Sequence, residues 1–137
     1  MKLKLLESTK RNYSKLEIHF KWDKLGFVMP TISYDDFAKL DIRVAKIIGT
    51  EPIEGKSRII KGRIDLGNGD QRDVIIGGAQ YYDPEDIVGK TVIVIANLEP
   101  KKMAGVESNA MLLAADVDDK PFWLTVNENI PLGSPIK

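Results

Sequence analysis

Cysteine is missing altogether from the 137-residue chain, and histidine occurs once, at His19. Without thiols there is no disulfide framework and no thiolate metal site, a composition that suits the cytoplasm. A single imidazole cannot build a His-rich metal site, and no catalytic triad is specified around it. Long apolar runs are missing too. They extend only a few residues, so neither a membrane span nor a signal peptide is supported. Nor is there an excess of charge of one sign, because 20 Lys and Arg face 20 Asp and Glu. The strongly basic balance that announces a general nucleic-acid binder is therefore not present.

The charge is nevertheless segregated. Residues 1 to 29 hold seven Lys and Arg against three acids, whereas residues 30 to 137 hold thirteen against seventeen. Any polyanion site in the larger part must come from local grouping of its cations, not from bulk charge. A chain of this length supports one compact core with an extra arm.

Groups that would make an enzyme are not specified either. Ser108 has no histidine near it in sequence, and Asp83, Glu85 and Asp86 are explained as charges at a helix start. Gly77-Gly78 lacks a following Lys-Ser or Lys-Thr and so is no P-loop; it reads as a place where the backbone bends or approaches another segment at a barrel rim. The chain reads as a noncatalytic binding module with no cofactor.

What is present is a series of short apolar strands. The chain centres on residues 91–115, where the β-branched run from Val92 to Ile95 and the apolar run from Met111 to Ala115 flank an irregular basic link with Lys101 and Lys102. Upstream, Ser33 and Asp36 read as a variant capping box opening a short helix, with Phe37 and Leu40 turned inward so that it plugs the domain. Ile42 to Ile48 follows as a strand, with Ile42, Val44 and Ile48 on one face, and Gly49 to Pro52 ends it. From Arg58 to Leu66, Ile60, Gly62, Ile64 and Leu66 share one face, while Lys61 and Arg63 share the other. Gly67-Asn68-Gly69-Asp70 is a hairpin turn, and Arg72 to Ile76 returns as the partner strand. Asp83-Pro84-Glu85-Asp86 starts a helix of one to two turns that Gly89 stops. Residues 91–96, 111–116 and 122–126 are further strands, with a turn at 118–120. Pro131, Gly133 and Pro135 make the tail irregular. The sum is an all-β fold, a five-stranded OB-fold barrel with short helices and C-terminal extension strands.

Three blocks carry a resemblance: Tyr34-Asp-Asp-Phe-Ala-Lys-Leu-Asp-Ile-Arg-Val-Ala-Lys-Ile47, Tyr81-Tyr-Asp-Pro-Glu-Asp-Ile-Val-Gly-Lys90, and Ala96-Asn-Leu-Glu-Pro-Lys-Lys-Met103 with Gly105-Val-Glu-Ser-Asn-Ala-Met-Leu-Leu-Ala-Ala115. In this order they resemble the tRNA-binding domain family. That family includes free-standing tRNA-binding proteins, the C-terminal domain or β subunit of methionyl-tRNA synthetase, and the module of the endothelial monocyte-activating polypeptide. The resemblance runs from about Ile32 to Lys137 and implies the same OB fold. It places an OB-fold tRNA-binding domain over residues 29–137 and leaves residues 1–28 as an N-terminal arm. Three readings of the arm stand: an edge strand drawn from the apolar alternation of Lys2–Leu6 and Leu16–Trp22, a weakly ordered basic arm, or a non-native leader ahead of a start at Met29.

RNA recognition needs cations for phosphates and flat or apolar groups for exposed bases and riboses. Lys56, Arg58, Lys61 and Arg63 form one cationic group, and Lys101 with Lys102 a second. In an OB barrel both can meet on the face of the second and third strands. The resemblance adds Ser108 and Met111 at the family's Ser and Met positions. Asn109 and Ala110 stand where the family usually has Gln and Gly, and Glu99 where a lysine is frequent. Residues 53–58 resemble the family's Val-Glu-Gly form, with Arg58 in its basic position. Asn97 either reads RNA or stabilises a turn, and Met111 either lines the site or fills the core.

The function implied is recognition of tRNA shape, free-standing or as a β subunit of methionyl-tRNA synthetase. A homodimer is also implied, with Phe122, Trp123 and Leu132 as interface candidates. A peptide-binding chaperone of the same dimeric OB fold is the alternative, and a module that only docks to a synthetase is a third reading.

Overall fold

The structure is a computed structural model in which residues 29–137 are described. The arm, and with it the edge strand expected from Lys2–Leu6 and Leu16–Trp22, lies outside the described residues. All packing below lies within residues 34–137.

Among the described residues nine strands and two short helices follow in order: α1 (Tyr34–Ala38), β1 (Ile42–Pro52), β2 (Ile59–Asp65), β3 (Gln71–Gly77), α2 (Pro84–Ile87), β4 (Thr91–Ile95), β5 (Lys101–Met103), β6 (Val106–Ser108), β7 (Met111–Leu112), β8 (Ala114–Val117) and β9 (Lys120–Trp123). Five of them form an antiparallel sheet in the order β3-β2-β1-β4-β7. The sheet curls until its two edges nearly meet. The Asn109 amide donates to the Asp73 carbonyl (3.0 Å), and the Ile75 amide donates to Ser108 Oγ (3.0 Å). The result is a nearly closed OB-like barrel, in which little edge is left unpaired.

Alternation on β2 decides what fills it. Ile60, Ile64 and Leu66 are buried with Val74 and Ile76 of β3, Ile47 of β1, and Val92 and Val94 of β4. Gly62 belongs to the same inward row because a Cβ there would sit 2.4 Å from Ile76 Cδ1. The turn at 67–70 matches its reading, with Gly67, Asn68 and Gly69 all at positive φ.

Helix α2 is the plug. Asp83 caps it by accepting from the Glu85 amide (3.1 Å), Pro84 opens it, and Ile87 is buried in the barrel core. Burying one such side chain contributes about 1.5–3 kcal/mol. The expectation that α1 plugs the domain is corrected: no residue of α1 is buried, Phe37 packs on a second cluster outside the barrel, and Leu40 is exposed.

That second cluster accounts for another correction. Ile42 and Val44 do share a face, but Ile48 does not join their cluster and is exposed, while Ile47 is buried with Ala45 on the opposite, inward face. A β-bulge between Ile47 and Gly49 breaks the alternation and lets β1 continue to Pro52 in register with β2. Ile42, Val44, Ile93 and Ile95 point outward and are covered by Leu113, Val126, Ile130, Leu132 and Ile136. β1 and β4 are thus buried on both faces, which is why Val92–Ile95 reads as an unbroken apolar run.

The covering tail is irregular but bonded. Gly133 donates to the Val44 carbonyl (2.8 Å), Val44 to that of Ser134 (3.0 Å), and Ile136 to that of Ile42 (2.8 Å). The expected strand at 111–116 is split at Leu113 into β7 and β8, because Leu113 turns into the outer cluster. The strand expected at 122–126 starts and ends earlier, as β9, paired with β8 around Asp118 and Asp119 at positive φ. The irregular basic link is itself a hairpin, with Lys101 opposite Ser108 and Lys102 opposite Glu107.

Candidate nucleic-acid interface

Residues of β2 that do not face the core must face outward, and Lys61 and Arg63 do so beside Asp73 of β3 and Glu51 of β1. Arg63 Nη1 lies 2.8 Å from Asp73 Oδ1. Lys61 Nζ lies 3.8 Å from Asp73 Oδ2 and 3.8 Å from Glu51 Oε1. These side chains, with Gly49, Thr50 and Gly62, line a hollow of about 230 Å³.

Two further hollows continue it. One of about 480 Å³ shares Arg63 and Asp73 with the first and adds Arg72, Leu98, Pro100 and Asn109. The third, about 500 Å³, shares Leu98 and is lined by Ile75, Glu99, Lys101, Met103, Ser108, Ala110 and Met111. Together they trace one groove from β1 and β2 across β3 to the β5–β6 hairpin. Its first part is ionic and its last part is largely apolar.

The structure brings Lys61, Arg63, Lys101, Ser108 and Met111 to this groove. Lys56 and Arg58 stay exposed in the β1–β2 turn and line none of it. Lys102, next to Lys101 on a strand, belongs to the opposite face of its hairpin. Ser108 is committed to the main chain: its Oγ accepts from the Ile75 amide and donates to the Ala110 carbonyl (3.1 Å). It holds the β6–β7 corner against β3, and Ala110 beside it is buried without positive φ. Met111 is 38% exposed on the groove wall, outside the barrel core.

Asn97 is a structural amide. Its Oδ1 accepts from the Asp41 amide (2.9 Å) and its Nδ2 donates to the Lys39 carbonyl (2.7 Å), tying the α1–β1 junction to the end of β4. Gly78 also fits its reading. It has φ +82 and a Cβ there would lie 2.5 Å from Pro121 Cγ. Of the interface candidates, Trp123 packs against Tyr82 in a tilted ring pair at 4.7 Å between centroids and Leu132 packs in the outer cluster, whereas Phe122 is 47% exposed.

Two groove residues escaped the sequence reading. Arg72 occupies an inward position at the open end of β3. Its guanidinium donates to both Asp70 oxygens (3.0 Å each) and to the carbonyls of Ala96 (2.6 Å) and Asn109 (3.1 Å). The Asp70 carboxyl is held below the usual carboxylate range, first by the hydrogen bond from Arg72 and against partial burial, with the charges of Arg72 and Arg43 adding to the effect. Arg43, bonded to Asp41 at 2.9 and 2.7 Å, is pushed further up by that bond and charge. Asp73 was legible in principle, since pairing outward from the 67–70 turn sets it opposite Arg63. Among the described residues no cluster of His, Asp or Glu could hold a metal ion.

An OB-like barrel with a groove that is ionic at one end and largely apolar at the other defines the class. Residues 42–135 match the family model "Putative tRNA binding domain", and the chain belongs to that family. It is similar to the methionine–tRNA ligase of Methanocella arvoryzae, with 44% identity over 96% of this chain and 19% of the ligase. The chain therefore spans about a fifth of the length of that enzyme. Among solved structures it is similar to a MetRS-related protein from Pyrococcus horikoshii (TM-score 0.73, 34% identity, covering 80% of this chain and all of that one). It is also similar to the chaperone CsaA of Bacillus anthracis (TM-score 0.71, 25% identity, covering 79% and all of that chain).

Proposed function

We propose that residues 29–137 are a noncatalytic domain that binds tRNA by its folded shape, acting free-standing or as a β subunit supplying tRNA to methionyl-tRNA synthetase in the cytoplasm. The observation that carries this is the groove. Lys61 and Arg63, exchangeably paired with Asp73, and Lys101 line the groove as cations for a sugar–phosphate backbone, and Leu98, Met103 and Met111 offer apolar walls for riboses or exposed bases. The family match and the relationship to methionine–tRNA ligases support the same ligand.

The test is binding of the purified chain to a labelled total-tRNA pool and to an unstructured RNA of equal length across a salt series. Preference for tRNA is expected, with affinity falling as salt rises. Changing Lys101 to Ala should weaken binding more than changing Lys102. No binding to either RNA at low salt defeats the reading.

A chaperone reading is favoured by one feature, the apolar end of the groove, together with the likeness to CsaA. It calls for an unfolded peptide that binds with little salt dependence and competes with tRNA. A homodimer is proposed with exposed Phe122 in its interface. Sedimentation as a monomer at micromolar concentration contradicts that.

A further inference from the structure

We propose that Asp73 is a specificity-determining residue of the groove: its carboxylate takes the position of an RNA phosphate between Lys61 and Arg63, and a ligand phosphate binds there by displacing it. This deepens the RNA-binding reading and rests on it.

The two cations on the outward face of β2 are not open. Asp73 spans them, one oxygen 2.8 Å from Arg63 and the other 3.8 Å from Lys61, while Glu51 approaches Lys61 from the other side. Two oxygens of one anion shared between neighbouring cations is also how a phosphate would be held. Its main chain is fixed, because Asp73 pairs with Arg63 in the ladder and its carbonyl accepts from Asn109. Only the side chain needs to move.

The pairs are weak enough to exchange. The side chains of Lys61, Arg63 and Asp73 are 34%, 45% and 35% exposed, and ion pairs so open to solvent are readily replaced. Asp73 lines both the first and second hollows, so a backbone following the groove passes it. A folded RNA reaches these cations and Lys101 together, its phosphates already in place, and offsets the displacement with several contacts formed at once. A flexible strand must lose conformational freedom for each contact. It gains least where it must also displace a carboxylate, and so it avoids this part of the groove. Asp73 therefore turns a cationic strand face into one that rewards preformed shape.

The experiment compares the full chain with its Asp73→Asn variant on the tRNA pool and on unstructured RNA of equal length. Each is repeated in a Lys61→Gln/Arg63→Gln background, with thermal unfolding confirming the fold. Tighter tRNA binding by about fivefold is expected, the effect of one unit charge at roughly 4 Å through water. Unstructured RNA should gain more, and both gains should vanish in the doubly neutral background. Unchanged or weaker tRNA binding by a folded variant overturns the proposal and leaves the RNA reading standing. If the native chain binds no tRNA, that reading fails, and inorganic polyphosphate decides the inference: tighter binding by the variant upholds displacement, equal binding overturns it. Should Asp73→Asn not fold, Asp73→Thr is read the same way.

Discussion

Single side chains tie together the segments that wall the groove. Arg72 carries the most, since one half-buried guanidinium joins the 67–70 turn, the end of β4 and the residue-109 corner. Replacing it with Met keeps the aliphatic stem and removes the donors. Hydrogen bonds involving charged groups contribute about 1.5–3 kcal/mol, so a loss of that order is expected in denaturant unfolding. Its partner sets a pH dependence. The folded-state pKa of Asp70 is depressed, so the unfolded chain binds more protons and this contribution is complete above the ordinary carboxylate range, near pH 4. It is lost as pH falls from there through the depressed value. Thermal midpoints of the native chain should therefore drop more steeply below about pH 4 than those of Asp70→Asn, and parallel curves would contradict it.

At the scale of elements, α2 is short yet indispensable to the core. Ile87→Ala leaves a hole in the core of a nearly closed barrel, and large-to-small changes in such cores cost about 2–5 kcal/mol. Equilibrium unfolding checks it, with Val88→Ala, on an exposed site, as the control. The helix was legible because its signals are local: a capping Asp, Pro at its start, and Gly89 at its end. The β2–β3 hairpin was legible for the same reason, its alternation and its turn lying in one stretch. The role of α1 was not, because an apolar pair such as Phe37 and Leu40 fits a barrel core or an outer cluster equally well. The bulge after Ile47 also hides in a run of Ile47, Ile48 and Gly49, which suits either register. Of the site, the outward pairing of Lys61 with Arg63 could be counted from the strand. The bonds of the inward Arg72 to Ala96 and Asn109 depend on partners distant in sequence, whereas the Asp73–Arg63 pair and the hairpin that separates Lys101 from Lys102 are local and lack only a strong turn signal to fix their pairing.

For the domain from residue 34 to 137 as a whole, the tail decides how the barrel is sheathed. Its bonds to β1 and its cover over Ile42, Val44, Ile93 and Ile95 make the last residues part of the fold. Gly133 is the tightest point, at φ +86 with a Cβ that would lie 2.4 Å from the Leu66 carbonyl oxygen, whereas Gly105 has φ +79 and open space around it. Gly105→Ala should cost about 1–2 kcal/mol for left-handed backbone alone. Gly133→Ala should cost clearly more in the same unfolding assay, because backbone must also move. Equal losses would mean that the tail is not held against the turn.

The most direct test of the account is an amide chemical-shift map of the isotopically labelled chain titrated with tRNA at low salt. The expected perturbations follow the groove from Lys61, Arg63 and Asp73 through Leu98 to Lys101 and Met111. Perturbations confined to the β8–β9 hairpin around Phe122, with the groove silent, would contradict it.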